Sequence, residues 1–234
     1  DNGEFVAFYQ PQFDAVTLDI IGVEALARWN HPTRGLLTPD AFMSIAEDLN
    51  VVANLDRLIL EQSLVQRGVW ERAGVFIPRV SVNVSARRLH DEGLIENLKA
   101  LDIRPGSVAF ELVESIYLDE SEGIVSWNID HIKELGIDIE IDDFGTGYAS
   151  ILSLMQLRPK RLKIDRQLVM PITTSREQRT LVQSMIDIGA SLGISAIAEG
   201  VESREHGRIL AYMGCAALQG YAFARPMAAE DITA

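Results

Sequence analysis

Glu24, Glu111, Asp142, Asp143 and Glu199 all fall within or at the end of short apolar runs. Singly, each reads as an ordinary solvated acid of an acidic chain. Together with Asn83 they form a set of oxygen donors that cannot stay ionised side by side without cations. Every donor is an oxygen and none of the four histidines falls at an expected strand end, so hard Mg²⁺ or Mn²⁺ suits the set better than zinc or copper. Five carboxylates and one amide suffice for two ions. Lys163, inside the apolar run Arg161–Ile164, and Arg28, two residues after Leu26, add positive charge. Each alone reads also as a surface charge or a salt-bridge partner, a reading that suits Arg28 better than Lys163, whose strand points into a carboxylate-rich mouth. Paired cations with a lysine and an arginine suit attack of an activated water on a phosphodiester, the ions stabilising the attacking and leaving oxygens.

The segment Asp142-Asp143-Phe144-Gly145-Thr146-Gly147 follows a strand-like run, and its glycines allow a tight loop beside a bound phosphate, though a plain turn reads the same. Asp143-Phe144-Gly145 also spells the magnesium motif of protein kinases. The chain has neither a glycine-rich nucleotide loop before a lysine strand nor a His-Arg-Asp loop, which excludes that reading.

These residues need a scaffold that gathers strand ends. Strand-like runs occur at Val6–Gln10, Ile20–Leu26, Val80–Asn83, Val108–Leu112, Ile137–Asp142, Arg161–Ile164, Ser195–Glu199 and Ala217–Gly220. Helical patterns alternate with them over Asp56–Ala73, Asp91–Ala100, Glu120–Leu135, Thr174–Leu192 and Arg204–Met213. Eight strands with intervening helices favour an α/β fold of the (β/α)8 barrel type over an open doubly wound sheet. Pro11 to Asp19 is too short for a helical crossover, which makes the first strand antiparallel to the second. The working groups of such barrels lie at the C-terminal strand ends. Here that ring reads Gln10, Glu24, Asn83, Glu111, Asp142, Lys163, Glu199 and Gln219.

Composition narrows the classes. With 234 residues and 47% apolar content, the chain is long enough for one well-buried core, and no linker or low-complexity tract divides residues 1–234. A lone cysteine, Cys215, permits neither an internal disulfide nor a thiolate metal cluster and points to a reducing, cytoplasmic setting. Acidic residues outnumber basic ones 34 to 21, so no DNA or RNA duplex binding is expected. No stretch reaches the length and apolarity of a membrane segment, and the first residues lack the pattern of a signal peptide.

Val23-Glu24-Ala25-Leu26-Ala27-Arg28-Trp29 resembles the motif that names the EAL-domain family of bacterial cyclic di-GMP phosphodiesterases. In that family's order the chain also carries Tyr9-Gln10-Pro11, His31-Pro32, Asn83-Val84-Ser85, Glu111-Leu112-Val113-Glu114-Ser115 and Asp142 through Tyr148. Leu162-Lys163-Ile164-Asp165-Arg166, Ala198-Glu199-Gly200-Val201-Glu202, Gln219-Gly220-Tyr221 and Arg225-Pro226 follow. The resemblance implies a modified TIM barrel with its first strand reversed, and metal-dependent hydrolysis of cyclic di-GMP to linear pGpG, which lowers a second messenger. It implies that Glu24, Asn83, Glu111 and Asp142 hold a first Mg²⁺ or Mn²⁺, and that Asp143 and Glu199 hold a second, with Asp142 bridging. Lys163 then orients water or the scissile phosphate. Gln10, Leu26, Arg28, Asn83, Asp165, Glu202 and Gln219 contact the nucleotide, and Glu114 anchors the loop from Asp143 to Ser150. It further implies a homodimer and a larger multidomain parent, possible membrane anchorage included, from which a single EAL domain has been excised.

Two positions depart from the family pattern. Val113 stands where many members carry a hydroxyl residue, and Ala149 replaces a common serine. Neither removes a ligand, so the silent-receptor branch of the family fits less well than the enzyme. A glycosidase would need one carboxyl pair and aromatic sugar platforms, and it leaves Asn83 and Lys163 unexplained.

Overall fold

Alternation with a period of two builds the scaffold. Val80 and Val82, Phe110 and Leu112, Ile139 and Ile141, and Leu162 and Ile164 are buried members of the apolar core, and they alternate with Ser81, Glu111, Glu140 and Lys163 along the same strands. One face of each strand therefore serves the apolar layer under the helices, and the other lines the barrel interior. A computed structural model describes residues 3–114, 123–147 and 151–233 of the chain.

In chain order the strands are β1 (Phe5–Asp14), β2 (Ile20–His31), β3 (Gly35–Leu37), β4 (Val80–Asn83), β5 (Val108–Val113), β6 (Asp138–Phe144), β7 (Arg161–Ile164), β8 (Ser195–Ala198) and β9 (Ala217–Leu218). The helices are α1 (Met43–Asp48), α2 (Val52–Arg72), α3 (Ala86–Leu89), α4 (Leu94–Lys99), α5 (Gly123–Glu134), α6 (Ile151–Leu157), α7 (Arg166–Val169), α8 (Arg176–Ser191) and α9 (Arg204–Tyr212). The sheet runs β1-β9-β8-β7-β6-β5-β4-β2 and closes through the β1–β2 pairing, with β3 hung on the edge of β2. Strand β1 is antiparallel to both β2 and β9, and every other barrel neighbour is parallel. The result is an eight-stranded α/β barrel of modified TIM type. Among the described residues no helix is long and apolar enough to cross a membrane.

The reversed strand follows from the short first connection. Asp14 Oδ1 accepts hydrogen bonds from the backbone N–H of Val16 and Thr17, both at 2.8 Å, and turns the chain directly into β2. Both strands outrun their apolar runs. Gln10 therefore sits in mid-strand, opposite Glu24 in the register, instead of at a strand end.

The extension of β2 also corrects the expectation about histidines, because that strand ends on His31. Its ring stacks near Trp29, with centroids 4.6 Å apart, and Nδ1 accepts from the backbone of Thr33 at 3.2 Å. His31 thus serves the turn into β3, seven residues beyond Glu24. Helix α6 and strand β3 went unassigned in the sequence, being short apolar segments without a clear period.

The barrel interior is polar where such barrels more often stack branched apolar side chains. Toward its base, Arg161 Nη1 lies 2.9 Å from Glu140 Oε1 and 3.0 Å from Asp138 Oδ2, and Arg79 Nε lies 3.2 Å from Glu140 Oε1. Ser81 Oγ donates to Glu140 Oε2 at 3.1 Å. A buried ionic group of this kind adds little net stability, yet losing one partner is costly, so it holds the strands in a single register.

Candidate metal centre

Lys163 is the hub of the upper barrel. Its side chain projects from β7 into the interior with no solvent exposure, and its ammonium meets carboxylates from four other segments. Nζ lies 2.7 Å from Glu199 Oε1, 3.0 Å from Glu111 Oε1, 3.0 Å from Asp142 Oδ1 and 3.3 Å from Glu24 Oε2. Asn83 Nδ2 donates to Glu24 Oε1 at 3.2 Å. Asp142, Asp143 and Glu199 also offer oxygens that lie within 4.8 Å of one another. Six strands thus bring Glu24, Asn83, Glu111, Asp142, Lys163 and Glu199 to one place, as Asp143 follows on the end of β6 and Gln10 and Gln219 stand alongside.

One ammonium does not neutralise this group. Burial and the charges of Glu24 and Asp142 push the Glu111 carboxyl well above the ordinary range, against the pull of Lys163. Burial, with Asp142 and Glu24 nearby, raises Glu199 to about 8, and burial with Asp142 and Asp165 raises Asp143 to about 6. Burial acts on Glu24 as well, but Lys163 and the Gln219 amide outweigh it and hold that carboxyl below its usual value. Burial opposes the charge on Lys163, and the surrounding acids more than reverse the effect, keeping the amine protonated. Glu111 Oε2 is buried without a hydrogen-bond donor, and Glu111 Oε1 and Asp142 Oδ1 meet only an ammonium they share with other carboxylates. Orphaned carboxylate oxygens facing one another in an all-oxygen donor set fit hard divalent cations.

Above the carboxylates a cavity of about 220 Å³ opens to solvent, bordered by Gln10, Glu24, Leu26, Asp142, Glu199 and Gln219. Glu202, Arg166 and Tyr221 complete its rim. A larger cavity of about 550 Å³ lies on the outer wall against α9, lined by Phe13, Leu218 and Phe223 among others, and no carboxylate borders it. The carboxylates therefore open onto the smaller one.

Three expected nucleotide contacts do not border the cavity: Arg28, Asp165, and Asn83, which donates to Glu24. Arg28 is buried beside the cavity, donating from Nη1 to the carbonyl of Ala27 at 2.8 Å with its guanidinium 5.6 Å from the Phe8 ring centroid. Asp165 caps α7 by accepting from Gln167 N at 2.8 Å and faces Asp143. Glu114 Oε2 accepts from the backbone N–H of Gly145 and of Gly147, each at 3.1 Å. Ala149 and Ser150, which end the loop expected to lean on Glu114, lie outside the described residues, as does Ser115.

Arg166 and Tyr221 were given no role in the sequence reading. Arg166 Nη2 lies 2.7 Å from Glu202 Oε1, and Gly200, at φ +61°, leaves the space its side chain crosses. Arg225 stacks over Tyr221 at 4.4 Å from the ring centroid. A basic residue directly after Lys163-Ile164-Asp165 and an aromatic two residues after Gln219 were the available signals, but their bearing on the mouth depends on how the loops after β7 and β9 fold together.

A modified α/β barrel with a lysine-centred carboxylate ring at its mouth defines the class, and the chain belongs to the EAL domain family, which it matches over residues 1–226. Among its relatives, the cyclic di-GMP phosphodiesterase RocR of Pseudomonas aeruginosa is 37% identical over 234 residues, covering 97% of this chain and 58% of RocR. The bifunctional diguanylate cyclase/cyclic di-GMP phosphodiesterase MucR of the same species is 32% identical over 235 residues, covering 99% of this chain and 34% of MucR. The solved MucR phosphodiesterase in complex with c-di-GMP superposes with a TM-score of 0.90 at 32% identity, covering 98% of this chain and 94% of that one. The chain spans about a third of the length of MucR and just over half that of RocR.

Proposed function

We propose that this domain hydrolyses cyclic di-GMP to linear pGpG with two Mg²⁺ or Mn²⁺ ions. The carrying observation is the convergence of Glu24, Glu111, Asp142 and Glu199 on the single ammonium of Lys163, with Glu111 Oε2 left without a donor. Five carboxylates against one ammonium leave a negative excess that two divalent ions would balance. In this reading Glu24, Asn83, Glu111 and Asp142 would hold one ion, and Asp143 and Glu199, with Asp142, would hold the other. The ions supply Lewis acidity toward the phosphodiester oxygens.

The remaining roles belong to the chain's own side chains. Lys163, released from part of its carboxylate ring, orients the attacking water and stabilises charge on the scissile phosphate. Gln10, Leu26, Glu202 and Gln219 border the cavity and hold the nucleotide. Arg28 reaches a phosphate from beside it, and Asp165 supports Asp143 from behind. Glu114, through the two glycine N–H groups, sets the loop after Asp143. The phosphodiesterase relatives and the MucR complex with c-di-GMP support the substrate. We read the active unit as a cytoplasmic homodimer within a longer protein.

Incubating the purified domain with cyclic di-GMP and Mg²⁺ or Mn²⁺, with and without chelator, and resolving products by ion-pair chromatography tests this. Metal-dependent pGpG is the expected result. Binding without product would replace the enzyme by a receptor, and absence of both would overturn the reading.

A further inference from the structure

A line of buried side chains runs through the barrel interior from its base to Glu24. Arg79, immediately before β4, donates from Nη2 to Gln12 Oε1 at 2.7 Å. Gln12 donates from Nε2 to Gln219 Oε1 at 3.0 Å. Gln219 in turn donates from Nε2 to Glu24 Oε2 at 2.5 Å and to Gln10 Oε1 at 3.2 Å. Arg79, Gln12, Gln219 and Glu24 are all buried, and neither Arg79 nor Gln12 borders the cavity that Gln219 and Glu24 line.

The two ends decide the direction of the line. A guanidinium only donates and an ionised carboxylate only accepts, so both amides between them must point the same way. Turning either amide sets carbonyl against carbonyl or N–H against N–H in a buried site. The base of the line is itself fixed, because Arg79 Nε lies 3.2 Å from Glu140 Oε1, and Glu140 is also held by Arg161 and Ser81. Room for the first link comes from Gly22, opposite Gln12 in the register. A Cβ at that position would stand 3.2 Å from Gln12 Oε1 and 3.3 Å from Arg79 Nη2.

We infer that Gln12 is a positioning residue for the metal centre: anchored on Arg79, it locks the Gln219 amide so that its N–H group faces Glu24 and Gln10. A freed Gln219 could turn its carbonyl toward the Glu24 carboxylate and push that ligand off its place beside Asn83. The inference rests on the metal-centre reading above for its functional consequence, and on the interior hydrogen bonds alone for the positioning itself.

Gln12→Met keeps length and removes both polar functions. In the metal-free protein, NMR should show the Gln219 side-chain N–H protons, assigned by their loss in Gln219→Met, protected from exchange in wild type and exposed in Gln12→Met. The backbone amides of neighbouring β8 should stay protected. Calorimetric titration with Mn²⁺ should then show about tenfold weaker binding in Gln12→Met, in the range found for groups that orient metal ligands. In a Gln219→Met background the same substitution should add almost nothing, because Gln12 acts only through Gln219. Gln62→Met supplies the structural comparison: its amide joins Ala7 N and the Phe5 carbonyl on the outer wall, so it should lower the melting temperature and leave Mn²⁺ affinity unchanged. Unchanged Gln219 protection, or an equal loss of affinity in both backgrounds, overturns the inference. Lost protection in Gln12→Met alongside a wild type that takes up no Mn²⁺ would uphold the positioning and sink the metal-centre reading instead.

Discussion

Replacing Lys163 by methionine keeps the stem and deletes the ammonium that Glu24, Glu111, Asp142 and Glu199 surround at 2.7 to 3.3 Å. Removing one partner of a buried ion pair leaves uncompensated charge and costs about 3–5 kcal/mol. Proton uptake by the carboxylates offsets part of this, most readily at Glu199, which already titrates at about 8. In a chain of 234 residues, where 1 kcal/mol moves the melting temperature by about 2–4 °C, the expected loss in chelator is roughly 10 °C. Divalent ions on the same carboxylates replace the missing charge, so saturating Mn²⁺ should return most of that loss. Turnover should not return with it. Without the group proposed to orient water and meet the phosphate, it should stay about 100-fold or more below wild type. Scanning calorimetry at pH 8 in EDTA and in Mn²⁺, with pGpG formation measured alongside, separates the two effects. Equal melting temperatures in EDTA would refute the claim that the ammonium balances the ring. Full activity in Mn²⁺ would refute its place in the reaction.

Asp142→Ala or Glu24→Ala removes a proposed metal ligand and should reduce pGpG formation by at least about 1,000-fold, within the span of barrier that electrostatic stabilisation supplies; near-normal turnover in either variant sinks the ligand assignment. Because Asp143 and Glu199 titrate at about 6 and about 8 in the metal-free protein, ion uptake must displace protons, and Mn²⁺ affinity should rise between pH 6 and 8 with proton release visible in buffers of different ionisation enthalpy. Both values lie above the ordinary 3.8 and 4.5, so the native state binds more protons than the unfolded one, and the metal-free melting temperature should fall as pH rises from about 4 to 8. A flat profile would contradict the burial of these acids. Glu114→Ala frees the N–H groups of Gly145 and Gly147 and should cost about 1–3 kcal/mol. Turnover should fall while Mn²⁺ uptake persists, and a loss of uptake by calorimetry would place Glu114 in the metal centre itself.

Much of the scaffold was legible because the physics that sets it is local. The runs Val80–Asn83 and Arg161–Ile164 coincide with β4 and β7 residue for residue, since each is a short apolar alternation that begins two residues after a proline. The reversed first strand followed from a connection too short for a helix. Strand ends were harder to read where two strands pair along their whole length. Strands β1 and β2 extend each other over Phe5–Phe13 and Ile20–Trp29, pairing with β9 carries β1 to Asp14 and pairing with β3 carries β2 to His31, and no local signal marks that cooperative gain.

The sequence by itself determined which acids and amides share the barrel interior. Acids and amides at inner-face positions of successive strands must meet once the barrel closes, because the side-chain period of two puts them on one face. Only the tertiary structure decided how they meet. That Lys163 stands among four carboxylates, that Arg79 and Arg161 share Glu140 beneath them, and that Gln12 hands its orientation through Gln219 to Glu24 all join residues far apart along the chain. Those contacts depend on barrel register and on the reach of long polar side chains across an enclosed interior, which pairing between strands sets and residue order alone does not.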